Sequence, residues 1–296
     1  MNDAMIRPGA IVSCPLCDRS SGRSLRRCAD ARLQRCETCG LVYVGARSER
    51  PWEVYEQQSA SPSAYYTTNA LAGRRNASEV LQRICRHVSG GRLLDVGCAG
   101  GDFLCVAREA GFAVCGIELN PLSAAHARDH NHLPVLSRRL EEITELSELR
   151  DSTSRFGLFS SIHLGDVIEH LPEPRLALLH LRRWLAPGGV LSISTPDFSR
   201  PATRLLQIKP QEHLMMFCRT SLTRLLLDCG FSILSLESWD PWRDLAALPH
   251  SSTLDVLPVV GRVFRLVLQT LFRRPFPIRL PLRENLLVIA RRASPS

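Results

Sequence analysis

The sequence predicts a doubly wound α/β fold preceded by a small zinc-binding module, and three features predict it. Cys14-Pro-Leu-Cys17 and Cys36-Glu-Thr-Cys39 are CxxC pairs with eighteen residues between them. Leu93-Leu94-Asp95-Val96 runs into a small-residue loop, Gly97-Cys98-Ala99-Gly100-Gly101, and then into a helix start. Val114-Cys115-Gly116-Ile117 is a second apolar run that ends in an acid, Glu118. A strand, a glycine-rich turn, a helix and a second strand ending in an acid open the kind of parallel sheet that binds ligands beyond its strands' carboxyl ends.

Composition bounds the rest. The 296 residues, 45% hydrophobic and 22% charged, allow a sizeable core and exclude a disordered or collagen-like chain. No run of 18 apolar residues occurs, and Asp3 and Arg7 precede no apolar segment, so the expected location is cytoplasmic. In such a chain eleven cysteines are expected to be reduced thiols and metal ligands. The net charge of +8 is uneven: residues 1–50 carry +4 and residues 241–296 carry +6, which leaves −2 for the middle. A mildly acidic body is a poor groove for a polyanion, so nucleic acid is not the expected partner.

Residues 1–45 read as the zinc module. Four thiolates satisfy tetrahedral Zn²⁺, and a closed set leaves no position for a reacting water, so the metal is expected to be structural. About 50 residues also need such a staple to fold. Cys28 reads as a bystander, Leu41 to Val44 as the module's last strand, and residues 46–69, rich in Ser, Pro, Gln and Glu, as a linker or lid. Tyr65 and Tyr66 lie just before the first expected helix, Ala70 to Val88, which Ser89-Gly90-Gly91 stops.

The loop after Val96 lacks the Lys-Ser/Thr of a phosphate loop and departs from GxGxxG, while Glu118, about 22 residues on, suits the two hydroxyls of a ribose. From about Ala70 to Ala293 the chain resembles the class I S-adenosylmethionine (SAM) dependent methyltransferases. LLDVGCAGG matches their first motif and Gly116-Ile117-Glu118-Leu119-Asn120-Pro121 their second. The resemblance implies a seven-stranded, Rossmann-like sheet over residues 70–296. It further implies that Asp95, Gly97, Ala99, Gly101 and Asp102 shape the methionine end of the cofactor site, that Glu118 and Leu119 hold the ribose side, and that His163 lines the pocket. Ala99 replaces the middle glycine of the usual GxGxG, so φ is expected to stay below zero there.

Later segments follow the family's order. Phe156 to Ile162 reads as the fourth strand, with Gly157 where aspartate is common. Asp166-Val167-Ile168-Glu169-His170-Leu171 looks like the DVxEHL segment of small-molecule methyltransferases, and a helix, Pro174 to Leu185, follows. Pro187-Gly188-Gly189 leads into Val190 to Pro196 as the fifth strand. Glu212-His213-Leu214 with Phe217 and Cys229-Gly230-Phe231 resembles the EHLxxF…GF block, and Asn285 to Ala290 reads as the last strand. Together with the zinc module these segments resemble the branch of ubiquinone-pathway O-methyltransferases and sugar methyltransferases.

Methyl transfer is an in-line displacement, helped by a base when the acceptor is a hydroxyl. His170 and His213 fall in loops at strand ends and Asp166 beside them; His213 is the favoured base, against a purely structural histidine. The resemblance to quinone O-methyltransferases also suggests a divalent metal on Asp166, Glu169 and His170, against the alternative that Glu169 and His170 only cap a helix. An insertion over about 240–282 holds a basic amphipathic helix. Val259, Val260, Val263, Val267 and Leu271 share one face of it, and Arg262, Arg265, Gln269 and Arg273 share the other. Such a helix caps the sheet, packs in a homodimer, or lies peripherally on the inner membrane face. The expected function is O-methylation of a small-molecule, sugar or lipid-linked acceptor. The rivals are an RNA methyltransferase clamping its substrate with the ribbon, and a SAM-binding regulator.

Overall fold

The computed structural model describes residues 10–11, 13–20, 22–28, 31–47, 51–53, 62–151, 153, 157–206, 212–244 and 277–293. Two short strands, β1 (Ala10–Ile11) and β5 (Ala46–Arg47), pair antiparallel and flank the meander β2 (Gly22–Cys28), β3 (Ala31–Cys36) and β4 (Val42–Val44). Both CxxC segments sit at turns at the base of this meander. Gly40, at φ 75°, takes the chain out of the second turn, where its N–H donates to the Cys36 carbonyl.

The first helix, α1 (Pro62–Cys85), starts eight residues earlier than the apolar spacing predicts. Thr67-Thr68-Asn69 are weak helix formers and carry no apolar stripe, so nothing local announces the first turns. Tyr65 and Tyr66 therefore lie within the helix, not in the linker before it. Farther along, Val80, Leu81 and Ile84 are buried against the sheet as expected.

The sheet then alternates with helices: β6 (Arg92–Val96), α2 (Asp102–Glu109), β7 (Ala113–Ile117), α3 (Pro121–Asp129), β8 (Val135–Leu136), β9 (Phe159–Gly165), α4 (Pro174–Trp184), β10 (Leu185–Pro196), α5 (Pro201–Leu206), β11 (Met215–Met216), α6 (Arg219–Asp228), β12 (Phe231–Trp239) and β15 (Asn285–Arg292). Seven of these strands form one sheet in the order β12-β15-β10-β9-β6-β7-β8. The pairs among β10, β9, β6, β7 and β8 are parallel, and β15 runs antiparallel between β10 and β12. This is the expected doubly wound, seven-stranded architecture. Helices on both faces bury both sides of the sheet: Leu94, Ile162, Leu164, Leu191, Ile193 and Val288 fill one side, and Leu93, Val114, Val190, Leu287 and Ile289 the other.

β11 is the element that sequence reasoning misses. It adds to the N-terminal meander as a fourth strand, in the order β11-β4-β3-β2, with Met215 opposite Tyr43 and Met216 opposite Val42. β4, expected as the module's last strand, is followed by β5 and is not the edge of its own sheet. In the insertion, β13 (Arg243–Asp244) pairs with β14 (Pro277–Ile278). The amphipathic segment 259–273 lies outside the described residues. Among the described residues no helix is long and apolar enough to cross a membrane.

Candidate active site at the reversal of strand order

Strand order reverses between β6 and β9, and open parallel sheets bind ligands at such a reversal, beyond the strands' carboxyl ends. Two adjoining cavities of about 300 and 380 Å³ lie there, both lined by Gly97, Ala99, Gly165 and Asp166. Glu118, Leu119 and His170 line the first, and Asp95, Asp102 and His163 the second.

The loop after β6 owes its shape to backbone geometry. Gly97 (φ 72°) and Gly101 (φ 89°) are left-handed, and a Cβ on Gly97 would come within 2.5 Å of Val167. Ala99 is left-handed too, at φ 48°, which overturns the expectation of a negative angle. Its N–H donates to Glu118 Oε2 at 2.8 Å, while Glu118 Oε1 accepts from the Asn120 N–H at 2.7 Å, so the acid at the end of β7 holds the loop beyond β6 in place. An L-residue in this region costs ~1–2 kcal/mol, partly offset by glycine's larger unfolded-state entropy. Ala99→Gly should therefore stabilise the protein by up to ~1 kcal/mol, raising Tm by about 2–4 °C in a thermal melt.

Asp95 is buried at the base of this loop. Burial, reinforced by the charge of Glu118, holds its pKa well above the usual carboxylate range, and burial raises Glu118 as well. Two acids strained in this way are relieved by a cationic or hydroxyl-bearing ligand. Asp102 opens α2 beside Gly73 of α1, and burial raises its pKa. His163 packs its ring 4.2 Å from that of Phe103 and pairs Nδ1 with Ser192 Oγ at 3.2 Å; burial depresses its pKa to about 4, so it is neutral at pH 7.

The other side of the crevice is built by two segments that interlock. The Glu169 carbonyl accepts from Leu214 N–H (2.9 Å) and Met215 N–H (3.2 Å), and His170 Nδ1 lies 2.8 Å from the Glu212 carbonyl. A carbonyl only accepts, so Nδ1 carries the proton and the neutral ring keeps its lone pair on Nε2. The His170 and His213 ring centroids are 4.8 Å apart, and Phe198 meets His213 edge-on at 6.0 Å. His213 is only 6% exposed, whereas His170 faces the cavity. Glu169 is fully buried, with Oε2 accepting from Thr195 Oγ1 at 2.9 Å and Oε1 without a hydrogen-bond partner; burial lifts it to about 7.

Asp166, with a left-handed φ of 53°, turns away from this cluster and accepts from Asn285 Nδ2 at 3.2 Å. The dense surroundings and the charge of Glu169 raise its pKa, but the side chain opens on the cleft, where water moderates the push. The ligand atoms that converge within 4.8 Å are consequently those of Glu169, His170 and His213, with His213 in the place expected for Asp166. Sequence reasoning also missed Trp52, whose ring carries Arg139 at 4.2 Å at the cavity wall, and Asn285; only the opening of the last strand marks Asn285. In the N-terminal module the four cysteines do converge, with Cys14 Sγ 3.4 Å from Cys39 Sγ and Cys17 Sγ 3.5 Å from Cys36 Sγ. Those spacings fit the edge of about 3.8 Å that 2.3 Å Zn–S bonds set in a tetrahedron.

A methyltransferase-domain family matches residues 70–236, which span the glycine-rich loop, both histidines, the first five strands of the sheet and part of the sixth. The chain belongs to the methyltransferase domain family. Among curated relatives of this methyltransferase is the mitochondrial ubiquinone biosynthesis O-methyltransferase of Schizosaccharomyces pombe, 33% identical over 128 residues, 43% of this chain and 45% of that protein. The ubiquinone biosynthesis O-methyltransferase of Xanthomonas oryzae pv. oryzae is 29% identical over 129 residues, 43% of this chain and 52% of that protein. The chain spans about half the length of these curated relatives. Among solved structures, a chain of the Haloferax volcanii complex between the Trm112 methyltransferase activator and a methyltransferase superposes with a TM-score of 0.58 at 16% identity, covering 82% of this chain and 99% of that one. The magnesium protoporphyrin IX methyltransferase of Synechocystis, solved with bound S-adenosylhomocysteine, gives 0.52 at 13%, covering 81% and 97%. At these identities the likeness is one of fold.

Proposed function

We propose that this enzyme transfers the methyl group of SAM to a hydroxyl oxygen of a small-molecule acceptor, sugar or lipid-linked compounds included. The observation that carries this reading is the histidine pair at the mouth of the cofactor crevice. One imidazole, His170, is held by a backbone carbonyl in the tautomer that can take a proton at Nε2. An oxygen nucleophile benefits from such a base, and the ubiquinone O-methyltransferase relatives agree with that choice. In this reading Gly97, Ala99, Gly101 and Asp102 let SAM approach the backbone, Asp95 and His163 line its methionine end, and Glu118 and Leu119 take the ribose. The sequence favours His213 as base, but its burial favours a supporting role behind His170. Cys14, Cys17, Cys36 and Cys39 hold structural zinc. A second reading rests on Glu169 Oε1, which has no hydrogen bond and lies 3.9 Å from His170 Nε2, and which with His170 and His213 offers a donor set suited to a divalent ion; when bound, such an ion would acidify an acceptor hydroxyl.

The test is transfer of labelled methyl from SAM into fractionated extract, with Asp95→Ala as the blank and parallel reactions containing EDTA. The expected label is an ether in the polar-metabolite or lipid pool, lost in the blank. Label confined to RNA or protein would overturn the reading, and loss of transfer with EDTA that Mg²⁺ restores would select the metal-assisted version.

A further inference from the structure

We propose that the N-terminal cysteine module is a positioning element of the acceptor site, so that loading its four thiolates with metal governs methyl transfer without governing cofactor binding. This rests on the acceptor-side assignment above. The connection is a chain of backbone hydrogen bonds. Cys36 ends β3, its N–H donates to the Leu41 carbonyl at 2.9 Å, and β4 begins at the next residue. β4 then pairs with β11 through Tyr43–Met215 and Val42–Met216, and the Val44 N–H donates to the Leu214 carbonyl at 2.9 Å.

The segment so held supplies several of the groups that fix the histidines. Glu212 gives the carbonyl that orients His170, His213 gives the stacked ring, and Leu214 and Met215 donate to the Glu169 carbonyl. Packing runs the same way: Cys14, Leu16, Cys36, Leu41 and Tyr43 belong to one continuous buried cluster with Leu214, Met215 and Phe217. A two-residue strand cannot hold its own register; it is ordered by the strand it joins. β4, three residues long, is in turn ordered by a small sheet whose turns are closed at the four cysteines. The cofactor loop has no such dependence, since Gly97, Cys98 and Ala99 are tied to Ile117 and Glu118 of the central sheet.

The experiment uses the full chain loaded with zinc, the same protein after chelation, and a Val44→Pro variant. Proline there removes the N–H that reaches Leu214 while leaving all four cysteines in place. SAM affinity is measured by calorimetry, amide hydrogen exchange is followed at Leu214 to Met216 and at Leu93 to Val96, and the contact between the His170 and His213 rings is read by nuclear Overhauser effects. Chelation should speed exchange at 214–216 at least tenfold and abolish the ring contact. Exchange at 93–96 should stay slow and SAM affinity within about threefold. Val44→Pro should reproduce these changes while still binding zinc. Unchanged exchange at 214–216 after metal loss, or loss of SAM affinity together with the metal, would overturn the proposal. None of these readouts needs an acceptor, so a wrong acceptor assignment would show in the labelling experiment and not here.

Discussion

Glu118→Ala should weaken SAM binding at least 100-fold in calorimetry. The carboxylate accepts two backbone N–H groups, from Ala99 at 2.8 Å and Asn120 at 2.7 Å, and hydrogen bonds to a charged group are worth ~1.5–3 kcal/mol each. Removing it leaves both donors without that acceptor in a half-buried site. It also frees Ala99 from the bond that holds it at a positive φ, so the loop after β6 loses its shape as well as the carboxylate proposed to bind the ribose. Since every 1.4 kcal/mol is tenfold in affinity, losing the two hydrogen bonds proposed to the ribose hydroxyls, at ~1.5–3 kcal/mol each, already accounts for a hundredfold, and the loosened loop adds to it. Glu118→Gln keeps one acceptor oxygen and should fall between, near tenfold. An alanine variant that binds SAM within threefold of the parent would remove Glu118 from the cofactor site.

What the sequence made legible was whatever is written locally. β6, its loop and α2 follow from an apolar run, small residues and a helix start, and the acid at position 118 follows from its place after β7. The conformation of Ala99 was not legible, because a partner nineteen residues away imposes it. β11 left no trace, since two methionines carry no period and their pairing partners lie near the other end of the chain. The resemblance to quinone O-methyltransferases groups Asp166 with Glu169 and His170, and the left-handed turn that sends it to Asn285 is a backbone property that DVIEHL does not encode. Cysteine spacing, by contrast, carried its geometry with it, because each CxxC delivers two sulfurs from one turn.

The two EHL runs of the sequence, at 169–171 and 212–214, also acquire a meaning that neither has alone. Each supplies the backbone groups that fix the other: the carbonyl of Glu169 takes the N–H groups of Leu214 and Met215, and the carbonyl of Glu212 takes the ring N–H of His170. The first run hangs from the central sheet at the end of β9 and the second from the cysteine module through β11. The proposed acceptor site is therefore assembled across the two parts of the chain, while the proposed cofactor site belongs to one.

His170→Ala should lower turnover by about 10²–10⁴-fold, the usual contribution of a positioned base, and leave SAM affinity within about threefold. The ring lines the cavity that also holds Gly97 and Asp166, with its Nδ1 proton committed to the Glu212 carbonyl, so Nε2 is the atom placed to take the acceptor's proton. Its loss should also flatten the acidic limb of the kcat profile, where protonation of the base limits the parent enzyme. His213→Ala should cost less, about tenfold, because its buried ring acts through the stack at 4.8 Å, and the double variant should be little worse than His170→Ala alone, as expected for residues acting as a unit. Single-turnover methyl transfer with SAM at saturation is the measurement. If His213→Ala proves the more damaging and alone removes the acidic limb, the base is His213 and His170 is its support; if both variants turn over like the parent, acceptor deprotonation is not the task of this pair.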